Sequence, residues 1–498
     1  MTTAVKIEQL MQDSGVGFGT SGARGLVSRM TDRVCYAYTA AFIQYLEEAG
    51  ALRAGTDIAV GGDLRPSTPR IMLAAAAAIR DRGYVCRDCG AVSSPALAYY
   101  GLQHAVPTVM VTGSHIPEDR NGIKFNTAGG EILKADEQGI RRQSVELPES
   151  RFDSEGQFLR PPSNGLVRGD ARGLYRRRYL DYFPTDCLSG MKIGVYQHSA
   201  VGRDDMMVVL GGLGADLVPL GRSESFVPVD TEAIRSEDAA AARDWSAEHG
   251  LDAIVSTDGD SDRPLVGDEN GKWLRGDVAG ILCAAYLGAD AVVTPVSCNS
   301  AVEKCGRFEK VIRTRIGSPY VIEGMQRALD EGFGRVVGYE ANGGFLLGSD
   351  MGSNGTRLAA LPTRDALLLQ IAILRQARAQ KTTVGRLVAG LPRRYTWSDR
   401  LKAFPTERST ALLARLRGDG GGPPHPEIEA AFGDRFGRVE ATDETDGLRI
   451  TFAGGDVVHL RPSGNAPEFR CYNEADSEGR AEEMNRTCLE LMDGWRLE

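Results

Sequence analysis

Three aspartates alternate in the stretch DAIVSTDGDSDRP, residues 252–264: Asp258, Asp260 and Asp262. Carboxylates this close repel one another unless a hard cation neutralises them, so the run implies Mg2+ or Ca2+. An EF-hand is the competing pattern, with Asp258, Asp260 and Asp262 at positions 1, 3 and 5 and Glu269 at position 12. Its sixth position needs a glycine for the sharp turn, and here it is Arg263. The flank AIVS also reads as strand rather than helix. The run therefore reads as a catalytic Mg2+ loop, with Arg263 suited to a phosphate oxygen. The bland alternative is a solvated acidic turn.

A second string, TGSHIPEDRNGIKF (residues 112–125), follows the apolar run PTVMV. Ser114 on a turn at a strand end suits a nucleophile or phosphate carrier. His115 stands beside it, and Lys124 returns ten residues later. A third, HLRPSGNAPEFRCY (residues 459–472), offers Arg461, Ser463, Gly464, Asn465 and Arg470. Together these supply a guanidinium fork, a hydroxyl, a close-approach backbone and an amide, as a phosphate cradle requires. In VGFGTSGARG (residues 16–25), Gly17, Gly19 and Gly22 spell G-x-G-x-x-G. No clear strand precedes it and no long helix follows, so a dinucleotide site is rejected. Thr20, Ser21 and Arg24 still suit a phosphate-approaching loop. In GYEANGGFLLGS (residues 338–349), Glu340 suits sugar hydroxyls, and the glycines are expected to leave room for a ring.

Elements must position these loops. Apolar runs at 57–60, 192–196 and 291–295 each lead through a polar loop, a helical stretch and a glycine to another apolar run. That is the sequence form of a βαβ unit, and three occurrences predict three related α/β domains. Residues 141–169 and 417–425 read as polar linkers or loops. Residues 365–391 have helical periodicity, and alternation in LRITF and VVHLRP predicts antiparallel strands beyond it.

The 498 residues are enough for about three to four domains. With 58 basic against 67 acidic residues the net charge is −9, which argues against nucleic acid as partner. The longest apolar stretch, residues 71–79, is far short of the about 20 residues that span a bilayer. No basic segment followed by an apolar core opens the chain, so no signal peptide is read. Nine thinly scattered cysteines suggest reduced thiols and a cytoplasmic location. The lone C-x-x-C, Cys86 and Cys89, is read as one core thiol and one loop thiol rather than a metal or redox site.

Taken together, residues 16–475 resemble the α-D-phosphohexomutase superfamily, with the motifs in the family's order. TGSHIPEDRNGIKF resembles its phosphoserine loop, DGDSDRP its magnesium loop, GYEANGG its sugar loop and RPSGNAPEFR its phosphate loop. The resemblance implies four domains around a central cleft: three related mixed α/β domains and a smaller C-terminal α+β domain. The expected divisions are 1–160, 161–268, 269–385 and 386–498. It implies that Ser114 carries a phosphoryl group, and that Mg2+ binds Asp258, Asp260, Asp262 and a phosphoserine oxygen. Lys124 would be the acid–base group; Arg24, His115 and Arg263 would assist at the transferring phosphoryl. A lysine surrounded by cations would have a lowered pKa. Arg461, Ser463, Gly464, Asn465 and Arg470 would hold the non-reacting phosphate, and Glu340 and Asn342 the sugar. The implied reaction interconverts hexose 1- and 6-phosphates through a 1,6-bisphosphate, which also serves as activator. The implied partner is a small phosphosugar, with no nucleic acid or membrane.

Asn342 stands where the family often has serine, Gly344 and Ser318 where histidines are common, and Asn465 where threonine is usual. These departures put the sugar in question. Mannose is favoured, with glucose or an amino sugar as alternatives. A non-catalytic phosphosugar-binding protein is the rival from another class. Oligomeric state is not legible.

Overall fold

The computed structural model describes residues 2–19, 22–162, 167–352, 355–418, 426–463 and 467–497. Strand Asp57–Gly62 is almost wholly buried, as a strand covered on both faces must be. Val85–Ala91 and Thr108–Val111 flank it in parallel, and Arg120–Thr127 pairs antiparallel with Thr108–Val111. The same order recurs twice. Lys192–His198 lies between Asp216–Arg222 and Ala253–Thr257, followed by antiparallel Pro264–Gly267. Ala291–Pro295 lies between Lys310–Thr314 and Val336–Tyr339, followed by antiparallel Phe345–Leu347. Parallel neighbours need crossovers, and helices such as Thr68–Asp81, Arg203–Gly212 and Ser318–Asp330 provide them. The third and fourth strands of each copy are joined by a short reversal at the carboxyl end of a parallel strand. Those three reversals carry Ser114, the three aspartates and Glu340, at the rim where α/β sheets bind ligands.

The C-terminal sheet is antiparallel, ordered Tyr395–Lys402, Glu468–Ala475, Val457–Pro462, Leu448–Phe452, Val439–Asp443. It packs on helices Thr406–Arg417, Pro426–Phe436 and Glu478–Leu497, giving the α+β character expected. One apolar core runs through helices of all three α/β copies, from Leu97 to Tyr179 to Leu282 and Leu369. The C-terminal core, from Phe404 to Met492, is separate.

Some local expectations need correction. Residues 141–169 are not simply a linker. Ser144–Pro148 pairs antiparallel with Thr2–Lys6, and Val145 and Leu147 are fully buried. The partner strand lies at the far end of the sequence, so no local pattern reveals it. Residues 365–391 form two helices, Ala366–Ala379 and Val384–Ala389, the second capped by Thr383. Cys89 is not a loop thiol: Cys86 and Cys89 both lie in Val85–Ala91, and burial pushes both thiols up to about 12. Loop residues 419–425 lie outside the described residues. Among the described residues, no helix is long and apolar enough to cross a membrane.

Candidate active site

Ser114 opens the first reversal with a positive φ of 55°, a left-handed conformation costly for any residue with a Cβ. Its N–H donates to Thr112 Oγ1 (2.8 Å) and its hydroxyl to Asp258 Oδ2 (2.6 Å). His115 Nδ1 lies 3.4 Å from the same hydroxyl. The loop is tied from beneath by Arg65, one of the largest fully buried side chains. Its guanidinium donates to the carbonyls of Ser114 (2.8 Å), Ile116 (2.6 Å), Pro117 (2.8 Å) and Arg120 (3.2 Å). Asp63 holds Arg65 at 3.1 Å and accepts from Thr68 and Thr112. A Cβ on Gly113 would meet Arg65 at 2.6 Å, so close approach requires glycine there.

The described parts of the glycine-rich stretch are paired strands, not a nucleotide loop. Gly17–Phe18 pairs with Gly22–Leu26, which then pairs with Arg120–Thr127 in a register that sets Gly22 opposite Lys124 and Arg24 opposite Gly122. Thr20 and Ser21 lie outside the described residues. This pairing brings Arg24 and Lys124 to the same end of the sheet. Burial, then Arg263, lowers the Arg24 pKa to about 10.

Asp258, Asp260 and Asp262 are buried, and one oxygen of each lies within 4.8 Å of the others. Lys124 Nζ donates to Asp260 Oδ2 (2.6 Å) and Asp262 Oδ2 (2.9 Å). Ser94 donates to Asp260 Oδ2 at 2.6 Å. Burial and the two neighbouring aspartates push Asp258 well above the usual carboxylate range. Burial also opposes charge on Asp260, but Lys124 and Ser94 outweigh it and hold that carboxyl well below its usual value. Asp260 Oδ1 and Asp262 Oδ1 are buried with no hydrogen-bond partner among the described residues. Orphaned carboxylate oxygens in an all-oxygen cluster fit a hard divalent cation.

The environment of Lys124 differs from expectation. Burial opposes its charge, but Asp260 and Asp262 outweigh burial and Arg364, and its pKa is raised rather than lowered. Its nearest partners are carboxylates, not cations. Arg263, then burial, lowers His115 to about 3. Arg263 Nε is buried without a hydrogen-bond partner among the described residues and lies 3.8 Å from Asp262 Oδ1.

In the third reversal, Glu340 Oε2 accepts from Arg364 Nε at 2.6 Å, and both side chains are buried. Asn342 Oδ1 is engaged by the Gly344 N–H (2.9 Å), and its carbonyl accepts from Thr231. Ser318 donates to Glu131 at 2.9 Å. The glycines do not simply leave space for a ring: a Cβ on Gly344 would strike Arg364 Cδ at 2.5 Å.

The C-terminal loop is partly described; Gly464 and Asn465 lie outside the described residues. Arg461 pairs with Asp446 (2.9 Å) and Arg470 with Glu468 (3.2 Å). Ser463 is buried, its N–H donating to the Glu468 carbonyl (2.8 Å). Burial raises the Glu232 carboxyl, and the charges of Arg275, Arg263 and Arg470 oppose that rise. Ser94, Arg65 and Arg364 were not anticipated from the sequence. Arg65 stood in a loop noted only as polar, and no local pattern marks Arg364.

Fold and site thus define an α/β protein with an acidic cation cluster facing a buried serine and lysine, ringed by arginines. Comparison with known proteins places it. Family models match three parts of the chain, each described for phosphoglucomutase/phosphomannomutase: α/β/α domain I over residues 15–150, α/β/α domain III over 275–395 and the C-terminal domain over 413–490. A phosphomannomutase of Sinorhizobium fredii is 44% identical over 94% of this chain and 97% of its own. One from Salmonella muenchen is 42% identical over 96% of each chain. A phosphoglucosamine mutase of Symbiobacterium thermophilum is 27% identical over 89% of this chain and 96% of its own. A crystal structure of a phosphoglucomutase/phosphomannomutase family protein from Burkholderia thailandensis superposes with a TM-score of 0.74 at 19% identity, covering 96% of this chain and 97% of that one. The chain belongs to the phosphoglucomutase/phosphomannomutase family and is a phosphohexomutase.

Proposed function

We propose that this enzyme interconverts mannose 1-phosphate and mannose 6-phosphate, with Ser114 as phosphoryl carrier. The carrying observation is the Ser114 hydroxyl, 2.6 Å from Asp258 in one buried cluster with Lys124. The two relatives named phosphomannomutase, at 44% and 42% identity, favour mannose over glucose and amino sugars.

In the resting enzyme Ser114 Oγ bears the phosphoryl group. A free hydroxyl of the hexose phosphate attacks phosphorus, the P–O bond to Ser114 breaks, and a hexose 1,6-bisphosphate results. The sugar reorients and returns its other phosphate to Ser114. Lys124, held as an ammonium by Asp260 and Asp262, would give a proton to the departing Ser114 oxygen and take the one released by the attacking hydroxyl. Arg24 and Arg263 stabilise charge on the transferring group, and His115 steadies the serine oxygen by hydrogen bonding. Mg2+, held by Asp258, Asp260, Asp262 and a phosphoserine oxygen, would neutralise the developing negative charge. Glu340 and Asn342 face the sugar; Arg461, Ser463, Gly464, Asn465 and Arg470 take the phosphate that is not reacting. The four units, divided at 160/161, 268/269 and 385/386, each contribute one of these loops. The separate core of the fourth suits it to close the cleft while the bisphosphate turns.

Phosphorus NMR with Mg2+ and a trace of hexose 1,6-bisphosphate tests this. Mannose, glucose, glucosamine and N-acetylglucosamine 1-phosphates are supplied in turn, with Ser114→Ala and Mg2+-free controls. Fastest conversion of mannose 1-phosphate supports the reading, and a faster sugar replaces mannose in it. Turnover by Ser114→Ala overturns the site.

A further inference from the structure

Arg364 is the most constrained group at the site whose role is not yet accounted for. It ends strand Leu361–Arg364, and its neighbours on both sides are fixed. Thr363 Oγ1 donates to Glu131 (2.5 Å), and Asp365 accepts from Tyr175 (2.7 Å) and Tyr179 (2.5 Å). The guanidinium touches carboxylates of two different loops: Nε to Glu340 Oε2 at 2.6 Å and Nη1 to Asp262 Oδ2 at 3.6 Å. Asp262 Oδ2 is also the oxygen to which Lys124 donates. A continuous line therefore runs Glu340–Arg364–Asp262–Lys124, from the sugar loop to the acid–base lysine. Burial opposes charge on Arg364, but Glu340, Asp262 and Glu131 outweigh it and keep the group fully protonated.

Gly344 shows that the arrangement is built in. Its φ lies outside the left-handed region, so glycine is not required there for conformation. It is required for space: an added Cβ would meet Arg364 Cδ at 2.5 Å, Cγ at 2.7 Å and Nε at 3.0 Å. These are inner atoms of a side chain tied at its tip, and they cannot swing aside cheaply. Arg364 occupies the volume that a side chain at position 344 would take beside Glu340.

We propose that Arg364 is a specificity-determining positioning residue: it fixes the Glu340 carboxylate as an acceptor for one set of pyranose hydroxyls and holds it in register with Lys124 through Asp262. This rests on the reading of Glu340 as a sugar contact. A carboxylate held by a buried guanidinium cannot swivel to suit an epimer or a missing hydroxyl, so it discriminates among sugars. Released from Arg364, Glu340 accepts alternatives.

The test compares mannose 1-phosphate with its 3-deoxy and 4-deoxy analogues in wild type, Glu340→Gln, Arg364→Gln and Arg364→Lys, reading kcat and KM separately. Losing a hydroxyl that Glu340 accepts is expected to cost the wild type roughly 10- to 100-fold in kcat/KM. Glu340→Gln and Arg364→Gln should both shrink that penalty at least several-fold, chiefly through KM, with Arg364→Lys in between. If Glu340→Gln keeps the full penalty, the Glu340 reading fails. If Glu340→Gln loses it while Arg364→Gln keeps it, the present inference fails and that reading stands. A merely structural role for Arg364 would lower activity on all three sugars equally, which also overturns the inference. Gly344→Ala provides a check that does not need Arg364→Gln to fold well. It should lower the Tm of wild type but not of Arg364→Ala, and an equal loss in both backgrounds overturns the packing argument.

Discussion

Replacing Arg65 by methionine should cripple this enzyme without touching any group that meets substrate. Methionine keeps the aliphatic bulk and removes the guanidinium. Four carbonyls, of buried Ser114, half-buried Ile116 and exposed Pro117 and Arg120, then lose their donor, and Asp63 loses its cation. Each orphaned buried acceptor costs about 1–3 kcal/mol, and an uncompensated buried charge about 3–5 kcal/mol. Paid in full for Ser114, Ile116 and Asp63, these would take up much of the roughly 5–15 kcal/mol that keeps a domain folded. The loop around Ser114 should therefore let go locally, hydrating its carbonyls and giving up its geometry. A displacement of about 1 Å at a reacting centre costs on the order of 100-fold in rate. Arg65→Met is thus expected to lose roughly 100-fold or more in kcat, with a smaller change in KM and a lowered Tm. Phosphorus NMR turnover and scanning fluorimetry read the two effects. Asp63→Asn/Arg65→Met should be more stable than Arg65→Met, because the stranded carboxylate is gone. Turnover within about threefold of wild type at an unchanged Tm would refute the reasoning, and a double variant less stable than the single would refute its electrostatic part.

Ser114 sits at a positive φ of 55°, so Ser114→Gly should be more stable than Ser114→Ala by about 1 kcal/mol in urea unfolding, though both lack turnover. Equal stability would mean that the left-handed backbone carries no strain. Burial holds the His459 pKa down to about 4, against about 6.5 when unfolded. Protonation therefore favours the unfolded chain, and this stability is complete above pH 6.5 and lost as pH falls towards 4. His459→Gln should remove up to about 2 kcal/mol of that acid sensitivity, measured as the change in unfolding free energy between pH 7 and pH 4.5. An unchanged pH slope would rule His459 out as a source.

Much of the candidate site was legible because it is local. The alternation of Asp258, Asp260 and Asp262 and the turn chemistry around Ser114 lie within short stretches. Chain neighbours alone imply a cation and a phosphate carrier there. The repeated order of strand, loop and helix was legible for the same reason. Lys124 was legible as a candidate but not in its state: its charge environment comes from Asp260 and Asp262, more than a hundred residues away, and its pKa moved opposite to expectation. Ser144–Pro148 was misread as linker because its partner, Thr2–Lys6, lies at the other end of the unit.

What the sequence alone determined is which side chains are available and in which loops: the aspartate cluster, the serine, the lysine, the arginines and the three α/β repeats that carry most of them. What only the tertiary structure decided is their meeting. Three reversals at equivalent places in three repeats converge, Ser114 reaches Asp258, and Arg364 bridges Glu340 to Asp262. Arg65 and Arg364 have no pattern around them because their roles consist of distant partners. A buried guanidinium is defined by the carbonyls and carboxylates that surround it, and those are assembled only when the sheets pack.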